Sequence, residues 1–533
     1  MKGRVLVILL ALALVLSACG NKSNEGKEDK EPEKVVETDN NGEEAVKDSD
    51  KDSDIDSDKD SDKGSDKDSN KDTESDKEVS KLTQEEFEEL RAAIINGEDV
   101  ELPKKFDLRD YGMVTSCKDQ NGFMCCWVFG AMGALESNAL MSGFGEYDFS
   151  EYQLAILSET IPAKQGGSIG GEGYVCDDSI WYDHPGMSIY TVNTFMKGYA
   201  PALEEDYPYW DIKKPISVGA IDDAVFRVDN CFMVTPKTPD LIKKLIIENG
   251  AVTIGVNSVM WDFGRIANCS RYTNIIHYVT LVGWDDTYES KEITSTPEKD
   301  GVWIIKDSGG RAWGDEGYLY LSYCDGVMNG NNVIISYTLT DKESYDYQYQ
   351  YDGSAGLGTV KDLTDVAISF TANDNETMTG VKIFPRLTGG AFEPVNATVK
   401  VYKNIGSIDE ADIATPIYSM DTKVIYAGYQ TLEFDEGVNI NKNDKTFVTV
   451  TFDRAIRYAE DSSMKRRTKG MHDDIFRYHT VTHANPGETF VKRVDDDAWQ
   501  DRALADETSS MCIKVMVRKG HNKEVIHRKW VVK

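Results

Sequence analysis

A Cys-Cys-Trp run at Cys125–Trp127 stands directly before an apolar pattern with helical spacing. Val128, Met132 and Leu135 recur along one face of this predicted helix. A thiol at a helix N-terminus faces unpaired backbone N–H groups and the positive end of the macrodipole, which favour the thiolate form of a cysteine. The alternative is a buried cysteine that begins a core helix, because free cysteine is among the most buried residue types. The run therefore predicts either a nucleophile or a core position.

The first residues predict a secretory leader. Lys2 and Arg4 precede an apolar run over Val5–Leu16, which is too short to cross a bilayer. The run ends in LSACG, which resembles a bacterial lipobox and implies cleavage before Cys19 and a lipid on its sulfur. A plain signal peptide with an incidental cysteine is the alternative. We therefore expect a lipoprotein signal peptide over residues 1–19 and a mature protein held at the extracellular side of the membrane.

Length and charge narrow the class of protein. A chain of 533 residues predicts two folded domains. Its formal net charge of −33 argues against nucleic acid as a partner, because phosphate binding needs clustered Lys and Arg. Between Asn21 and Ser80 there are 23 acidic residues and 11 lysines, so almost nothing there can be buried. Residues 20–80 are predicted to form a solvated acidic linker.

A short amphipathic helix is predicted after the linker, over Leu82–Asn96. Thr83 is its expected N-cap, Phe87 is on its apolar face, and Gly97 ends it. Residues 81–101 could thus be an inhibitory prosegment. A docking helix that ends the linker is the alternative.

Two globular regions with different sequence patterns follow. In residues 102–343, helical patterns come first and alternating strands later, which predicts an α+β domain. In residues 344–520, short alternating runs separated by Gly, Asn and Asp predict a β-sandwich or jelly roll. Residues 521–533 form a basic tail to which we assign no function.

A cysteine nucleophile needs a base, a group that orients the base, and donors for the oxyanion. The α+β region contains two histidines, His184 and His277. His184 is in a turn and is expected at the surface. His277 opens a predicted strand, where a lone histidine is more often structural.

Three further stretches favour the catalytic alternative for Cys126 and His277. The segment LPKKFDLRDYGMVTSCKDQNGFMCCWVFGA resembles the start of a mature papain-like cysteine protease, and HYVTLVGW and WIIKDSGGRAWGDEGY resemble that family's histidine and asparagine motifs. The resemblance implies a two-lobed fold with Cys126 as nucleophile and His277 as base. It also implies that Gln120 is an oxyanion donor and that Asp307 orients the imidazole.

The chain departs from the family pattern at three places. Cys125 replaces a small residue, and Phe123 stands where many members have a disulfide cysteine. The usual Asn-Ser-Trp-Gly has become Asp307–Gly310. An aspartate can accept the imidazole N–H and favour the imidazolium. Loss of the tryptophan is expected to expose this hydrogen bond to water and weaken it.

The β-rich half resembles the lectin-like domain that follows the protease in some clostridial cell-surface cysteine proteases. YQYDG, the stretch Gly487–Trp499 and CIKVMV carry this looser resemblance. It implies a cell-wall glycan as a partner and allows a structural calcium ion in the β domain. A purely structural β domain is the alternative.

These motifs together predict a secreted, lipid-anchored cysteine endopeptidase that acts on surface or extracellular proteins through a Cys126 thioester. Thiol catalysis of this kind requires no cofactor. Cleavage of the prosegment would release the enzyme from its lipid. The alternative is a weak or inactive papain-fold protein that binds glycan, cell wall or host matrix.

Overall fold

The computed structural model describes residues 81–527 apart from 159–172, 177–182, 184–185, 215, 258–260, 263–265, 268–273, 294–295, 331, 354–357, 388–391, 464, 470–474 and 483. The signal peptide over residues 1–19 with Cys19, the linker over 20–80, His184 and the end of the tail lie outside the described residues. Within residues 81–527, as described, no helix has the length and hydropathy needed to cross a bilayer.

Helices and strands follow the predicted order, with helices early in the chain and strands later. The helices are α1 (Gln84–Ile95), α2 (Cys126–Met141), α3 (Glu151–Leu157), α4 (Ser188–Met196), α5 (Pro239–Asn249), α6 (Gly326–Asn329) and α7 (Arg502–Ala505). The strands up to residue 341 are β1 (Lys105–Asp107), β2 (Gly173–Cys176), β3 (Phe226–Val234), β4 (Val252–Val256), β5 (Trp261–Asp262), β6 (Ile266–Ala267), β7 (His277–Asp285), β8 (Val302–Lys306), β9 (Tyr318–Ser322) and β10 (Ile334–Asp341). The later strands are β11 (Tyr347–Gln350), β12 (Gly358–Thr371), β13 (Glu376–Ile383), β14 (Val395–Lys403), β15 (Tyr418–Val424), β16 (Ala427–Ile440), β17 (Lys445–Asp461), β18 (Lys465–Lys469), β19 (Ile475–Val481), β20 (Thr489–Arg493), β21 (Gln500–Asp501), β22 (Ser510–Met511) and β23 (Lys514–Lys519).

Helix α1 forms as predicted. Thr83 caps it in a capping box with Glu86, which satisfies backbone donors at both positions. Phe87 is buried against Phe106, and Arg91 Nε donates to the Glu248 carbonyl at the end of α5. These contacts attach α1 to β1 and α5, and a prosegment helix would make them as well as a docking helix.

Helix α2 is the central helix of the α+β domain, and it is buried from Trp127 to Ala139. It packs closely on β7 because two glycines face that strand. A Cβ on Gly133 would lie 2.6 Å from Thr280 Oγ1, and one on Gly130 would lie 3.2 Å from the Val279 carbonyl oxygen. This close packing holds α2 against the strand that His277 opens.

Antiparallel pairing brings the ends of β7 and β8 together. Thr280 pairs with Lys306, so the residue after β8, Asp307, lies beside the start of β7, where His277 stands. The order of neighbouring strands around them is β10-β4-β7-β8-β9, with β1 pairing to β7. The topology therefore juxtaposes two predicted site residues that are far apart in sequence.

The second half is a β-sandwich, as predicted. One layer contains β11, β23, β13 and β16, and the other has the order β15-β14-β17-β12-β20-β21. Buried aliphatic side chains from both layers fill the space between them, including those of Ile368, Val381, Val450 and Val515. Such interdigitation of two inward faces is what stabilises a sandwich.

The two halves are joined more closely than the sequence predicts. Strand β16 of the sandwich pairs with β3 of the α+β domain, with Ala427 opposite Met233 and Tyr429 opposite Cys231. In the described part of the chain, a single thirteen-stranded sheet thereby runs through both halves. In addition, β2 of the first half pairs with β19 of the second, in a sheet of order β18-β19-β2.

Gly428 makes the junction between β3 and β16 possible. Its φ is +97°, and a Cβ there would lie 2.0 Å from the Cys231 carbonyl oxygen. We expect Gly428→Ala to lower the free energy of unfolding by roughly 2–4 kcal/mol, from backbone strain and overpacking together. Chemical denaturation measures this loss. Gly487→Ala is the matched control, because Gly487 has a φ of +89° but no neighbour within 4 Å of a Cβ. Equal effects of the two substitutions would contradict the role of the junction.

Candidate active site

Cys126 is the first residue of α2 and is half-buried. Trp127 beside it is fully buried, and Gly186 packs against its indole so closely that a Cβ on Gly186 would lie 2.3 Å from Trp127 Cε2. The Met124 N–H donates to Asp183 Oδ1 at 2.7 Å. Asp183 therefore fixes the backbone just before the candidate nucleophile, and Gly186 packs against the side chain just after it.

His277 and Asp307 form a short hydrogen bond. The distance from His277 Nε2 to Asp307 Oδ1 is 2.7 Å, and the two side chains are 16% and 9% exposed. Burial lowers the pKa of the imidazole, but the charge of Cys126, together with the hydrogen bonds to Asp307 and Cys126, raises it to about 10. The imidazole is therefore cationic at neutral pH.

The geometry of His277 assigns a different partner to each ring nitrogen. Because Nε2 faces Asp307, Nδ1 is the nitrogen available to the Cys126 sulfur, with which His277 also forms a hydrogen bond. A cationic imidazole beside a thiol at a helix N-terminus stabilises a thiolate–imidazolium pair. The three residues that the sequence predicts as nucleophile, base and orienting group are thus brought together.

Gln120 is held by Ser308, a residue whose role the sequence analysis missed. Ser308 Oγ donates to Gln120 Oε1 at 2.5 Å, and the Gln120 N–H donates to the Ser308 carbonyl at 2.8 Å. Gln120 Nε2 donates to the Phe123 carbonyl at 2.6 Å, and its second N–H can serve another acceptor. The only sequence signal for Ser308 is its position directly after Asp307.

Cys125 has an environment opposite to that of Cys126. Its side chain is fully buried, and burial, followed by the charge of Asp183, raises the pKa of the thiol far above its usual range. Tyr209 provides a hydrogen bond to it. Cys125 is thus a protonated core residue. Six cysteines whose side chains the structure describes are free: Cys117, Cys125, Cys126, Cys231, Cys324 and Cys512.

Trp313 lies close to Gly309. A Cβ on Gly309 would lie 3.5 Å from Trp313 Cγ and 3.5 Å from Asp307 Oδ2. The side chains of His277 and Asp307 are only 16% and 9% exposed although position 309 has no tryptophan. The expectation that water weakens their hydrogen bond stays a prediction.

A buried group of charges lies beneath the site. Lys118 Nζ is 2.7 Å from Glu136 Oε1 and 3.0 Å from Glu151 Oε1. Thr115 Oγ1 donates to Glu136 Oε2 at 2.5 Å and accepts from Lys306 Nζ at 2.8 Å. Burial raises the pKa of Glu151 to about 8, against the lowering effect of Lys118. This network links the segment before Gln120 to β8, which ends at Asp307.

Within the described residues, no group of three or more His, Cys, Asp or Glu side chains is arranged to hold a metal ion. The described residues therefore identify no ligands for the calcium ion that the sequence analysis allowed in the β domain. The chemistry below uses side chains of this chain alone.

Comparisons with known proteins define the class of both halves. Residues 102–339 match the family model described as papain family cysteine protease, and residues 347–517 match the model described as lectin like domain. The chain therefore carries a papain-family peptidase domain followed by a lectin-like domain.

Relatives of the first domain include plant and viral proteins. A probable cysteine protease of Arabidopsis thaliana is 28% identical over 243 residues, which are 44% of this chain and 60% of the plant protein. A viral cathepsin of Heliothis zea nuclear polyhedrosis virus is 28% identical over 224 residues, which are 42% of this chain and 53% of the viral protein. The chain thus spans little more than half the length of these curated relatives.

Solved structures share both domains. The cysteine protease and lectin-like domains of Cwp84, a surface layer associated protein of Clostridium difficile, match with a TM-score of 0.63 at 20% identity, over 81% of this chain and 96% of that one. Cwp84 after propeptide cleavage gives a TM-score of 0.63, over 78% and 99% of the two chains. The likeness shows the same two-domain fold.

The hydrogen bond and charge of Asp307 are among the causes that raise the pKa of His277 from its ordinary value of 6.5 to about 10. The imidazolium is thus complete at low pH and is lost as the pH rises through about 10. Asp307→Asn keeps an oxygen acceptor but removes the charge. We expect the alkaline limb of the kcat/KM profile to move to lower pH, while activity at neutral pH is preserved or raised. A complete loss of activity in this variant would contradict the orienting role of Asp307.

Proposed function

We propose that the protein is a secreted cysteine endopeptidase that hydrolyses peptide bonds in surface or extracellular proteins. The observation that supports it best is the 2.7 Å hydrogen bond between His277 and Asp307, with the same imidazole hydrogen-bonded to Cys126. This arrangement provides a nucleophile, a base and an orienting group in one chain.

Acylation begins when Cys126 Sγ attacks the carbonyl carbon of the scissile peptide bond. The carbonyl oxygen becomes an oxyanion, which the backbone N–H of Cys126 and the side-chain amide of Gln120 stabilise as hydrogen-bond donors. His277 gives its proton to the leaving nitrogen, the C–N bond breaks, and a thioester remains on Cys126.

Deacylation uses the same residues, but His277 now acts first as a base. The imidazole of His277, now neutral, removes a proton from water as the water attacks the thioester. Collapse of the second tetrahedral intermediate expels the Cys126 thiolate and releases the new carboxyl terminus. Asp307 keeps the ring orientation fixed throughout and stabilises the imidazolium when it re-forms.

A matched pair of variants tests this function. Cys126→Ser and Cys125→Ser make the same chemical change one residue apart, and they are assayed for cleavage of an unfolded protein substrate. We expect Cys126→Ser to remove cleavage and Cys125→Ser to retain it. Cleavage that survives in purified Cys126→Ser protein would exclude this nucleophile.

The lipobox at Leu16–Gly20 supports anchoring of the mature protein to the membrane through a lipid on Cys19. Cleavage near Leu102 would separate the catalytic domain from this lipid, although the contacts of α1 with Glu248 can hold the cleaved helix in place. Mass spectrometry of the mature protein tests both ideas. A single polypeptide that contains both the lipidated N-terminus and the active thiol would exclude release.

The lectin-like match supports a second candidate, a surface protein that binds glycan and has little or no peptidase activity. In that case, purified protein would bind cell-wall glycan while the substrate stays uncleaved. Cleavage by the wild type together with its loss in Cys126→Ser rejects this candidate.

A further inference from the structure

The loop over residues 120–125, which we call the oxyanion loop, contains the candidate oxyanion donor Gln120 and ends beside Cys126. Two consecutive residues in it, Asn121 and Gly122, have positive φ values of +51° and +80°. Both are exposed, so the turn is not held by burial of its own residues. The side-chain amide of Gln120 must nevertheless keep a fixed place relative to the N–H of Cys126, because oxyanion donors act by being preorganised. Contacts that hold this loop therefore affect the reaction.

The hydroxyl group of Tyr209 contacts the oxyanion loop at both ends. It donates to the Gln120 carbonyl at 3.0 Å, and it also forms a hydrogen bond with the Cys125 thiol. Burial raises the pKa of Tyr209 far above its usual range. The hydroxyl therefore remains protonated, and remains a donor to the loop, at neutral and moderately alkaline pH.

The ring of Tyr209 contacts both the oxyanion loop and helix α2. Its centroid is 6.1 Å from that of Phe123 in the loop and 4.9 Å from that of Phe129 in the helix, and both contacts are edge-to-face. Aromatic pairs favour this geometry. Because Phe129 lies about one turn after Cys126, Tyr209 fixes the loop relative to the helix that presents the candidate nucleophile.

The contact at Phe123 is a feature of this chain, since many members of the family have a disulfide cysteine at that position. Lys213 Nζ also lies 5.5 Å from the centre of the Phe123 ring. Tyr209 is itself held in place, because its N–H donates to Glu204 Oε1 at 2.7 Å. Noncovalent contacts from the segment around Tyr209 thus stand where a covalent link is usual.

We propose that Tyr209 is a positioning residue that holds the oxyanion loop in its catalytic geometry. The proposal rests on the proposed peptidase function and adds a residue to it. Tyr209 acts through Gln120 and leaves the pair of Cys126 and His277 unchanged. Loss of its hydroxyl should therefore lower kcat, while KM and both limbs of the pH profile stay in place.

Tyr209→Phe in the full-length protein tests this role, because it removes the hydroxyl but keeps the ring. Removal of a whole oxyanion donor lowers kcat by about 10²–10³-fold, so we expect a loosened donor to lower it by about tenfold. KM should stay within about twofold of the wild type. Tyr209→Leu also removes the ring contacts and should lower kcat by about a hundredfold. Thermal unfolding checks that both variants are folded.

Tyr351→Phe is the matched control. The Tyr351 hydroxyl is half-buried in the lectin-like domain and donates to the Ser369 carbonyl at 3.0 Å, the same distance as in the bond from Tyr209 to Gln120. Its kcat should equal that of the wild type. An unchanged kcat in folded Tyr209→Phe, equal losses in Tyr209→Phe and Tyr351→Phe, or a rise in KM alone would overturn the proposal.

Hydrogen exchange separates this proposal from the proposed function, because it requires no catalysis. The amide hydrogens of residues 120–125 should exchange faster in Tyr209→Phe than in the wild type, and Tyr351→Phe should leave them unchanged. Faster exchange in a protein whose wild type cleaves no peptide would reject only the peptidase and would still support the role of Tyr209 in holding the loop. Exchange that Tyr209→Phe leaves unchanged would overturn that role.

Discussion

His277→Ala is expected to lower kcat/KM for peptide hydrolysis by about 10⁴-fold. The imidazole has two roles, because it forms a hydrogen bond with Cys126 in the free enzyme and it moves the proton in both chemical steps. Alanine removes both roles at once. The oxyanion donors and the binding of substrate remain, so the loss should fall short of complete inactivity.

His521→Ala is the control for this prediction. His521 Nε2 donates to the Ile440 carbonyl at 2.9 Å in the lectin-like domain, so the control removes a histidine with a hydrogen bond of its own. Its kcat/KM should stay close to that of the wild type. A loss of less than tenfold for His277→Ala would contradict the assignment of this residue as the base.

Lys118→Met is expected to lower the free energy of unfolding by about 3–5 kcal/mol. Lys118 Nζ contacts Glu136 and Glu151, whose side chains are only 1% and 2% exposed. Without this cation, both carboxyl groups are buried with less compensation, although Lys306 stays near Glu136. Removing one partner from a buried charge network lowers the free energy of unfolding by far more than the intact pair contributes to it.

Lys214→Met makes the same substitution in a surface ion pair. Lys214 Nζ is 2.7 Å from Asp211 Oδ1, but the lysine is 69% exposed, so the expected cost is at most about 1 kcal/mol. Denaturant unfolding of both variants gives the comparison. Equal losses of unfolding free energy in Lys118→Met and Lys214→Met would show that the buried network does not stabilise the domain.

Local sequence signals predicted much of this fold. The helix that begins at Cys126 and the capping box at Thr83 follow from residues within one or two turns, and both are confirmed. The strand that begins at His277 is also confirmed. The family resemblance then predicted which distant residues converge, and His277 and Asp307 do meet.

Long-range pairing could not be predicted from the same signals. The register between Cys231 and Tyr429 joins two domains, and alternation within each strand contains no information about its neighbour. The charge network beneath the site was missed for the same reason. Lys118 and Glu151 each look like surface residues in sequence, and only tertiary packing buries the carboxylate.

Labelling of the intact protein by a thiol-directed epoxide tests the central claim most directly. The label reacts with an activated thiolate, so mass spectrometry should find it on Cys126, which pairs with His277, and not on buried Cys125. Labelling should be lost in Cys126→Ala and kept in Cys125→Ala. A folded wild-type protein that takes up no label, or takes it up at Cys125, would contradict the account.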